Sequence, residues 1–313
     1  MTAPKIKIGF AGTPELAFYH YQELAQDKEF EIQYILTQPV SKSGRGMLKS
    51  NYSLQDQSLS VKTFTPSNLK QKKFVDEVMK YEIDLLVVVA YGQILPKWIL
   101  DYPRFGCLNV HFSLLPLYRG ASPIQRCIEK GDYESGVSFM KLNEQMDAGP
   151  LYFQSKTTIK DLDFYEVEKK LINLSLENLN SVIKRIVFES LKPKEQNHTL
   201  ASTANKITKE EGEVNWKNNY QDIHRKFKAF KNWPQTFFIF QNQKIKIHDM
   251  LIDPNKRGHA GTIAHVNKDS IGVFCNNGCI LITDLQFPGK KIISAKDFFN
   301  SKRDIISVGD SLN

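Results

Sequence analysis

Two residues with clear chemical potential, Asn109 and His111, lie two positions apart in the sequence. The apolar stretch Gly106–Val110 predicts a short strand, and residues two apart on a strand point to the same side. An amide N–H and a protonated imidazole can both donate to an oxygen that gains negative charge, so the pair suits a reaction at a carbonyl carbon. The spacing leaves one alternative open: a buried histidine satisfied by a neighbour, with Asn109 merely ending a strand.

A third candidate is Asp147, which lies in the turn-forming sequence Gln145–Pro150. A carboxylate beside His111 would hold the imidazole in one tautomer and support proton transfer. The alternative is an Asx-turn aspartate, which is common in D-x-G sequences. Sequence spacing alone does not decide whether Asp147 meets His111.

Other motifs exclude several classes of chemistry. Gly9-x-x-Gly12 is not the G-x-G-x-x-G fingerprint, which argues against a nicotinamide cofactor. No P-loop and no G-x-S-x-G nucleophile elbow is present. The seven histidines form no zinc motif, and Cys275 to Cys279 resembles a hairpin, so we expect no metal.

The elements that must position these residues alternate between strand and helix. Ile6–Ala11 predicts a first strand, and Thr13 is a plausible N-cap for the helix that follows. Asp84–Ala90 is apolar on both faces, which is typical of a central parallel strand covered by helices. A further strand is expected at Gly136–Leu142 and a long amphipathic helix at Asp163–Glu189. This alternation predicts a doubly wound, mostly parallel α/β sheet, and such sheets bind ligands at the carboxyl ends of their strands, where Asn109 and His111 stand.

The chain is long enough for two domains, with 313 residues. The polar segment 191–206 reads as a linker, which gives a first domain over 1–190 and a second over 207–313. Beyond the linker the sequence turns to short β-rich runs separated by turns, which indicates a small barrel or sandwich. Those runs are Thr236–Phe240, Lys244–His248, Gly261–Val266, Gly272–Cys275 and Cys279–Leu285.

Composition places the protein among ordinary globular chains, with 41% hydrophobic and 24% charged residues. Four scattered cysteines do not make a disulfide framework and favour a reducing compartment. The longest apolar run, around Leu85–Ala90, is shorter than the ~20 residues of a membrane span, so we expect no membrane insertion and a cytoplasmic protein. Nothing in the sequence requires more than a monomer.

The net charge of +8 lies mainly in residues 200–313, which contribute +6 of it. Basic and aromatic residues also interleave between His224 and Pro234, and Lys290-Lys291 follow. Such interleaving can bind an RNA backbone and stack on bases. The simpler alternative is a helix with a phenylalanine face in the core and a solvated lysine face, and a surplus of positive charge can also serve solubility alone.

Taken together, these motifs resemble the methionyl-tRNA formyltransferase family over nearly the whole chain. The resemblance rests on two sets of residues, one for the chemistry and one for the tRNA. The first comprises Phe10–Pro14, Val88–Pro96, Asn109–Gly120 and Asp147–Gly149, and enzymes that use 10-formyltetrahydrofolate share most of it. The second comprises Thr37–Pro39 with Gly44–Gly46, Ala201–Ala204, Ile207–Glu210, Ile223–Arg225, Ala229–Phe230 and Trp233–Pro234.

The resemblance implies a Rossmann-like formyltransferase domain followed by an OB-like barrel. It implies transfer of a formyl group from the co-substrate 10-formyltetrahydrofolate to the α-amino group of methionyl-initiator-tRNA, with no metal. Asn109, His111 and Asp147 would be catalytic. The folate site would be lined by Tyr91, Gly92, Ile94, Leu95, Ser113, Leu114, Leu115 and Pro116. The tRNA would be contacted by Lys42, Arg45 and Lys49 of an inserted loop, and by Arg225, Lys228, Lys290 and Lys291.

Three positions depart from the family pattern, which often has Arg at Lys228, Pro at Asn232 and Gly at Gln235. Two other functions remain open from the sequence. One is a formyltransferase acting on a small amine, against which the linker and the basic C-terminal domain argue. The other is a non-catalytic RNA-binding module, against which the set of Asn109, His111 and Asp147 argues.

Overall fold

The computed structural model describes residues 4–39, 61–302 and 304–312. The chain forms two compact units. Unit 1 comprises residues 1–123, 134–158 and 169–205, and unit 2 comprises residues 124–133, 159–168 and 206–313. The bounds 1–190, 191–206 and 207–313 remain a prediction about domains, since the units are interleaved along the chain.

Unit 1 is built on a seven-stranded sheet with the order β3-β2-β1-β4-β5-β6-β7. The pairs from β3 to β5 are parallel, and the last two pairs are antiparallel. The predicted mostly parallel α/β sheet is therefore confirmed. The strands are β1 (Ile6–Gly12), β2 (Phe30–Leu36), β3 (Lys62–Phe64), β4 (Leu85–Val89), β5 (Cys107–His111), β6 (Glu134–Lys141) and β7 (Leu151–Thr158).

Five helices accompany these strands along the chain: α1 (Glu15–Gln26), α2 (Lys72–Val78), α3 (Lys97–Asp101), α4 (Pro123–Lys130) and α5 (Phe164–Phe188). The prediction of Thr13 as an N-cap is wrong. Pro14 occupies the N-cap position of α1 without a side-chain cap, and the Thr13 hydroxyl instead donates to the Tyr91 carbonyl at 3.1 Å. The hydroxyl thus ties the end of β1 to the loop after β4.

Strands β4 and β5 form the buried centre of the sheet. All ten of their residues are buried, because leucine and valine occupy both faces of β4 and can pack on either side. Val88 of β4 pairs with Asn109 of β5, so the two strands end side by side. The fold therefore brings the loop that follows Val89 and the polar residues of β5 to the same edge of the sheet.

The last two strands differ from the sequence prediction. The strand expected at Gly136–Leu142 is β6, but it runs antiparallel to β5, with His111 opposite Ser138. Strand β7 was not predicted. It is an edge strand of alternating half-buried and exposed residues, and its polar second half lacks the apolar continuity by which the central strands are recognised.

Unit 2 contains an antiparallel sheet with the order β10-β11-β12-β9-β8, and β13 pairs with β12. Its elements are α6 (Tyr220–Ala229), β8 (Phe237–Phe240), β9 (Gln243–Asp253), β10 (Ile263–Val266), β11 (Ile271–Cys275), β12 (Gly278–Gln286), β13 (Ile293–Ser294) and α7 (Ala295–Lys302). Phe238, Ile245, Ile280 and Phe298 lie in one shared apolar core. The predicted small β domain is confirmed, although β9 extends five residues beyond the predicted His248.

No helix in the described part of the chain is both long and apolar enough to cross a membrane.

The imidazole of His20, in α1, is completely buried inside unit 1. Its Nδ1 donates to the Leu16 carbonyl at 2.7 Å, and its Nε2 lies 2.7 Å from the Ser175 hydroxyl of α5. Burial lowers the pKa of His20 from 6.5 to about 4, because the charged imidazolium is poorly solvated there. The neutral imidazole is therefore the form that fits the folded protein.

We predict that the free energy of unfolding falls by ~2 kcal/mol between pH 7 and pH 5 through His20 alone. The unfolded chain binds a proton at this residue below pH 6.5, whereas the folded chain does so only near pH 4, so acid favours unfolding in that window. Chemical denaturation at the two pH values measures the change. His20→Gln should remove that part of the pH dependence, and an unchanged slope in the variant would refute the assignment.

Candidate active site

Asn109 and His111 lie on the same face at the end of β5, as the strand spacing predicts. Both side chains are largely buried, with 9% and 6% of their surface exposed. Within the described residues the Asn109 amide makes no hydrogen bond. A largely buried amide without a partner is suited to donate to a bound ligand.

The His111 ring is oriented by Tyr118. Its Nε2 lies 3.0 Å from the Tyr118 carbonyl, and because a carbonyl can only accept, Nε2 carries a proton. Its Nδ1 lies 3.8 Å from Asp147 Oδ2, which is too long for a direct hydrogen bond. Tyr118 therefore orients the ring through Nε2, and Asp147, which the sequence also nominated, faces its other nitrogen.

Asp147 is itself held in a fixed conformation. Its backbone has φ +50°, a left-handed value that is uncommon outside glycine. Its Oδ2 accepts a hydrogen bond from the Gly120 N–H at 2.8 Å. The carboxylate therefore joins the loop after β5 to the turn after β6 and stays beside His111.

The segment Ser113–Pro116 follows β5 and is anchored by two polar side chains of β6 and β7. The Ser138 hydroxyl donates to the Ser113 carbonyl at 2.6 Å and accepts from the Leu115 N–H at 3.0 Å. Gln154 Nε2 donates to the Leu115 carbonyl at 2.8 Å and to Ser138 Oγ at 2.7 Å. Sequence reasoning missed both residues, because neither stands in a recognisable motif.

The four candidate folate residues of this segment have different environments. The Ser113 hydroxyl donates to the Leu117 carbonyl at 2.7 Å, so it serves the loop itself. Leu115 is buried, whereas Leu114 and Pro116 are half-buried. Leu114 lies against Gly136, where an added Cβ would come within 2.5 Å of the leucine Cδ2. Gly136 therefore leaves room for this loop to lie close to β6.

The loop after β4 divides into buried and exposed residues. Tyr91 and Leu95 are in the apolar core, and burial raises the pKa of Tyr91 to about 12. Gly92 is exposed with φ +80°, and Ile94 is 79% exposed. Of these four folate candidates, Gly92 and Ile94 offer accessible surface, and Tyr91 and Leu95 support the loop from behind.

Sequence reasoning also missed a polar bridge to the segment predicted as a linker. Arg119 donates through Nε and Nη2 to Gln196 Oε1 at 3.2 and 2.7 Å. Gln196 Nε2 in turn donates to the carbonyls of Asp147 and Gly149 at 2.9 and 2.7 Å. A polar residue in a polar, proline-containing stretch gives no sequence signal for such burial.

A cavity of about 440 Å³ lies beside the Asp147 turn in unit 1. Its lining is polar and partly acidic: Asn143, Glu144, Gln145, Ala148, Glu195 and His198. Asn109, His111 and Asp147 are not among the residues that line it.

The candidate tRNA contacts fall into three groups. Lys42, Arg45 and Lys49 lie outside the described residues. On α6, Arg225 forms an ion pair with Asp222, and Lys228 Nζ donates to the Asp161 carbonyl at 2.7 Å. Lys290 and Lys291 are exposed, and their side chains make no polar contact within the described residues.

Helix α6 buries Ile223, Phe227 and Ala229, so its phenylalanine face belongs to the core, as the simpler interpretation of the basic-aromatic stretch expects. In the described portion of the chain, no group of three or more His, Cys, Asp or Glu side chains could hold a metal ion.

Comparison with known proteins identifies the class. Residues 5–183 match the family model described as "Formyl transferase", and residues 206–303 match "Formyl transferase, C-terminal domain". Methionyl-tRNA formyltransferases from Legionella pneumophila (strain Corby) and Stutzerimonas stutzeri are 34% and 36% identical to this chain. The alignments cover 97% and 99% of this chain and 98% of each relative. The chain therefore belongs to the formyltransferase family, and within it to the methionyl-tRNA formyltransferases.

Solved structures agree on the fold. A methionyl-tRNA formyltransferase from Clostridium thermocellum superposes with a TM-score of 0.57 at 15% identity, over 80% of this chain and 95% of that one. The HypX protein of Aquifex aeolicus in complex with tetrahydrofolic acid gives a TM-score of 0.66 at 14% identity, over 98% of this chain and 50% of that one. A sugar 3N-formyl transferase, WlaRD, gives 0.65 at 20% identity, over 91% and 99%.

We predict that Ser138→Ala lowers the free energy of unfolding by ~1–3 kcal/mol, because it leaves the buried Leu115 N–H and Ser113 carbonyl without their shared partner. Denaturant titration measures the loss. The matched control is Ser155→Ala on β7, whose side chain makes no hydrogen bond among the described residues. Equal stability of the two variants would show that Ser138 does not anchor the loop.

Proposed function

We propose that this protein transfers the formyl group of 10-formyltetrahydrofolate to the α-amino group of methionyl-initiator-tRNA, giving N-formylmethionyl-tRNA for translation initiation. The observation that carries the proposal is the placement of His111 3.8 Å from Asp147, beside the unpartnered amide of Asn109. This donor set suits attack on a carbonyl carbon, and the chain aligns almost end to end with relatives named for that reaction.

The reaction begins with attack of the neutral α-amine on the formyl carbon. A reference α-amine has a pKa of about 7.7–8.0, so a useful fraction is unprotonated near pH 7. As the new N–C bond forms, the formyl oxygen takes the electron pair of the C=O bond and becomes negative. The Asn109 amide donates to that oxygen, and such a donor acts most strongly where water is excluded.

Collapse of the tetrahedral intermediate requires proton movement. The attacking nitrogen loses a proton, the bond from the formyl carbon to N10 of the folate breaks, and N10 gains a proton. His111 is held by Tyr118 at Nε2, so its Nδ1 is the nitrogen that faces Asp147, 3.8 Å from Oδ2. A water or substrate atom that contacts both groups from one side can exchange protons with them.

The folate is held between two loops in this proposal. The segment Ser113–Pro116, anchored by Ser138, forms one side, and Gly92 with Ile94 forms the other. Tyr91 and Leu95 stiffen the second loop from the core. A largely apolar cleft with a few fixed polar groups is the usual form of such a site.

The tRNA is contacted by Lys42, Arg45, Lys49, Arg225, Lys228, Lys290 and Lys291 in this proposal. Lys290 and Lys291 have the strongest support, since both are exposed at the surface of unit 2. Arg225 and Lys228 have weaker support as tRNA contacts, because both already bond within unit 2. We further propose that the enzyme works as a monomer in the cytoplasm, where charged tRNA and folates are available.

A formyltransferase that acts on a small amine is the main rival, because WlaRD has the same fold. Two features favour tRNA over a small amine. The chain aligns nearly end to end with tRNA-directed relatives, and residues 200–313 contribute +6 to the net charge.

The test supplies 10-formyltetrahydrofolate with charged initiator tRNA and, separately, with small amines such as amino sugars, and measures formyl transfer. We expect transfer to the aminoacyl-tRNA and none to the small amines. Preference for an amino sugar would overturn the proposed substrate.

In the same assay, Asn109→Ala should lower turnover about 10²–10³-fold, because one donor to the developing oxyanion is lost. Its unfolding midpoint should stay close to the parent value. Asn178→Ala, which removes an asparagine bonded only to its own helix, is the control and should keep full turnover. Near-normal turnover of Asn109→Ala would contradict the assigned role.

We also predict that tRNA affinity falls as salt rises, since phosphate contacts release counterions. In a plot of log affinity against log salt concentration, replacing both Lys290 and Lys291 by Ala should reduce the steepness of the slope by about 1 to 2. The same replacement at Lys72 and Lys73, two exposed lysines of unit 1, removes equal charge and serves as the control. If both double variants give the same slope, Lys290 and Lys291 do not contact the tRNA.

A further inference from the structure

Gln196 is buried in a segment whose neighbours are exposed. Only 5% of its surface is accessible, whereas Glu195 and Asn197 on either side are exposed. Burying an amide is costly unless its donors and acceptor are all paired. Its amide therefore needs partners inside the fold for both its N–H groups and its oxygen.

The orientation of the Gln196 amide follows from its partners. Arg119 can only donate, so the atom that faces its Nε and Nη2 must be the oxygen, Oε1. The Nε2 group then faces the opposite way, and its two protons go to the carbonyls of Asp147 and Gly149. Every polar group of the side chain is paired, which fixes it in one orientation.

These bonds act on the backbone of Asp147 itself. The residue adopts φ +50°, and the bond from Gln196 holds its carbonyl while Gly120 N–H holds its carboxylate. Arg119 and Gly120 are adjacent in the chain, so the turn is tied to one short segment at two points. Removing the Gln196 bridge takes away both hydrogen bonds from its amide to this turn, so Asp147 depends more on its carboxylate bond to Gly120 to stay beside His111.

A second set of contacts fixes the arginine end of the bridge. The Arg119 N–H donates to the Ser202 carbonyl at 2.8 Å, and the Ala204 N–H donates to the Arg119 carbonyl at 2.6 Å. Nη2 also lies 3.0 Å from His198 Nδ1, where the guanidinium is the donor. The segment that contains Gln196 is thus bound to the loop after β5 along its length, and it is part of the support of the site.

We propose that Gln196 is a positioning residue for formyl transfer, which acts by holding the Asp147 turn so that the carboxylate stays against His111. The inference rests on the proposed function, because its readout is formyl transfer. Gln196 makes no hydrogen bond to His111 or Asn109, so its effect must pass through Asp147.

The test is a double-mutant cycle between Gln196→Met and Asp147→Asn. Methionine keeps the volume of glutamine and loses all four hydrogen bonds. We expect Gln196→Met to lower kcat about 10–100-fold, as small displacements of catalytic groups do, with KM for both substrates within about twofold of the parent value. In the Asp147→Asn background the same change should lower kcat less than about twofold, because residues acting as one unit are not additive.

Controls separate the possible failures. Lys192→Ala changes an exposed residue of the same segment whose side chain makes no hydrogen bond among the described residues, and it should keep parent kcat and KM. If Gln196→Met does not fold, Gln196→Glu retains the acceptor for Arg119 but lacks the two N–H donors, and the same cycle applies with the same expected loss. Absence of formyl transfer by the parent protein would refute the proposed function. If the parent protein is active, either of two results would refute the positioning role alone. One is full activity of the Gln196 variants. The other is an equal loss of kcat from the Gln196 change in the parent and in the Asp147→Asn background.

Discussion

The hydrogen bond from the Gly120 N–H to Asp147 Oδ2 is the contact on which the candidate site depends. It joins two loops that are distant in the chain and sets the carboxylate 3.8 Å from His111. Without it the carboxylate would no longer be fixed opposite Nδ1 of the imidazole, although Gln196 would still hold the backbone of the turn. A carboxylate that accepts a backbone N–H keeps one oxygen engaged and its direction fixed, which a proton relay requires.

The remainder of unit 1 supplies a rigid frame for that contact. Strands β4 and β5 are fully buried, so the position of Asn109 and His111 is set by apolar packing and by strand pairing rather than by the polar groups themselves. The loop after β5 is then held from two directions, by Ser138 and Gln154 on one side and by the segment around Gln196 on the other. Catalytic geometry is most precise when neighbouring elements lock it in this way.

Much of this could be predicted from the sequence, for identifiable reasons. Asn109 and His111 share a face because strand spacing has a period of two, and the run at Leu85–Val89 is apolar enough to identify a central strand. Asp147 could be nominated from its turn sequence, but its contact with His111 depends on the antiparallel direction of β6, which local sequence does not encode. The sequence did not show which folate candidates of the loop after β4 are accessible: Tyr91 and Leu95 are buried, whereas Gly92 and Ile94 are exposed.

Other features were beyond sequence reasoning because they depend on pairing between distant segments. Gln196 lies in a stretch whose composition is that of a linker, and only its partners Arg119, Asp147 and Gly149 reveal its burial. Thr13 has the sequence of an N-cap, yet its hydroxyl bonds to Tyr91, which competes successfully with the local cap. In both cases a hydrogen bond to a distant segment decided the structure: it buried a glutamine in a polar stretch, and it took the Thr13 hydroxyl away from the helix N-terminus.

The most direct measurement of the central claim is a crystal structure with a stable folate analogue that carries a formyl group at N10. The account predicts that the formyl oxygen lies about 3 Å from Asn109 Nδ2, with a water or ligand atom within hydrogen-bond distance of both His111 Nδ1 and Asp147. A formyl group bound instead among Glu144, Glu195 and His198, out of reach of Asn109, would contradict it.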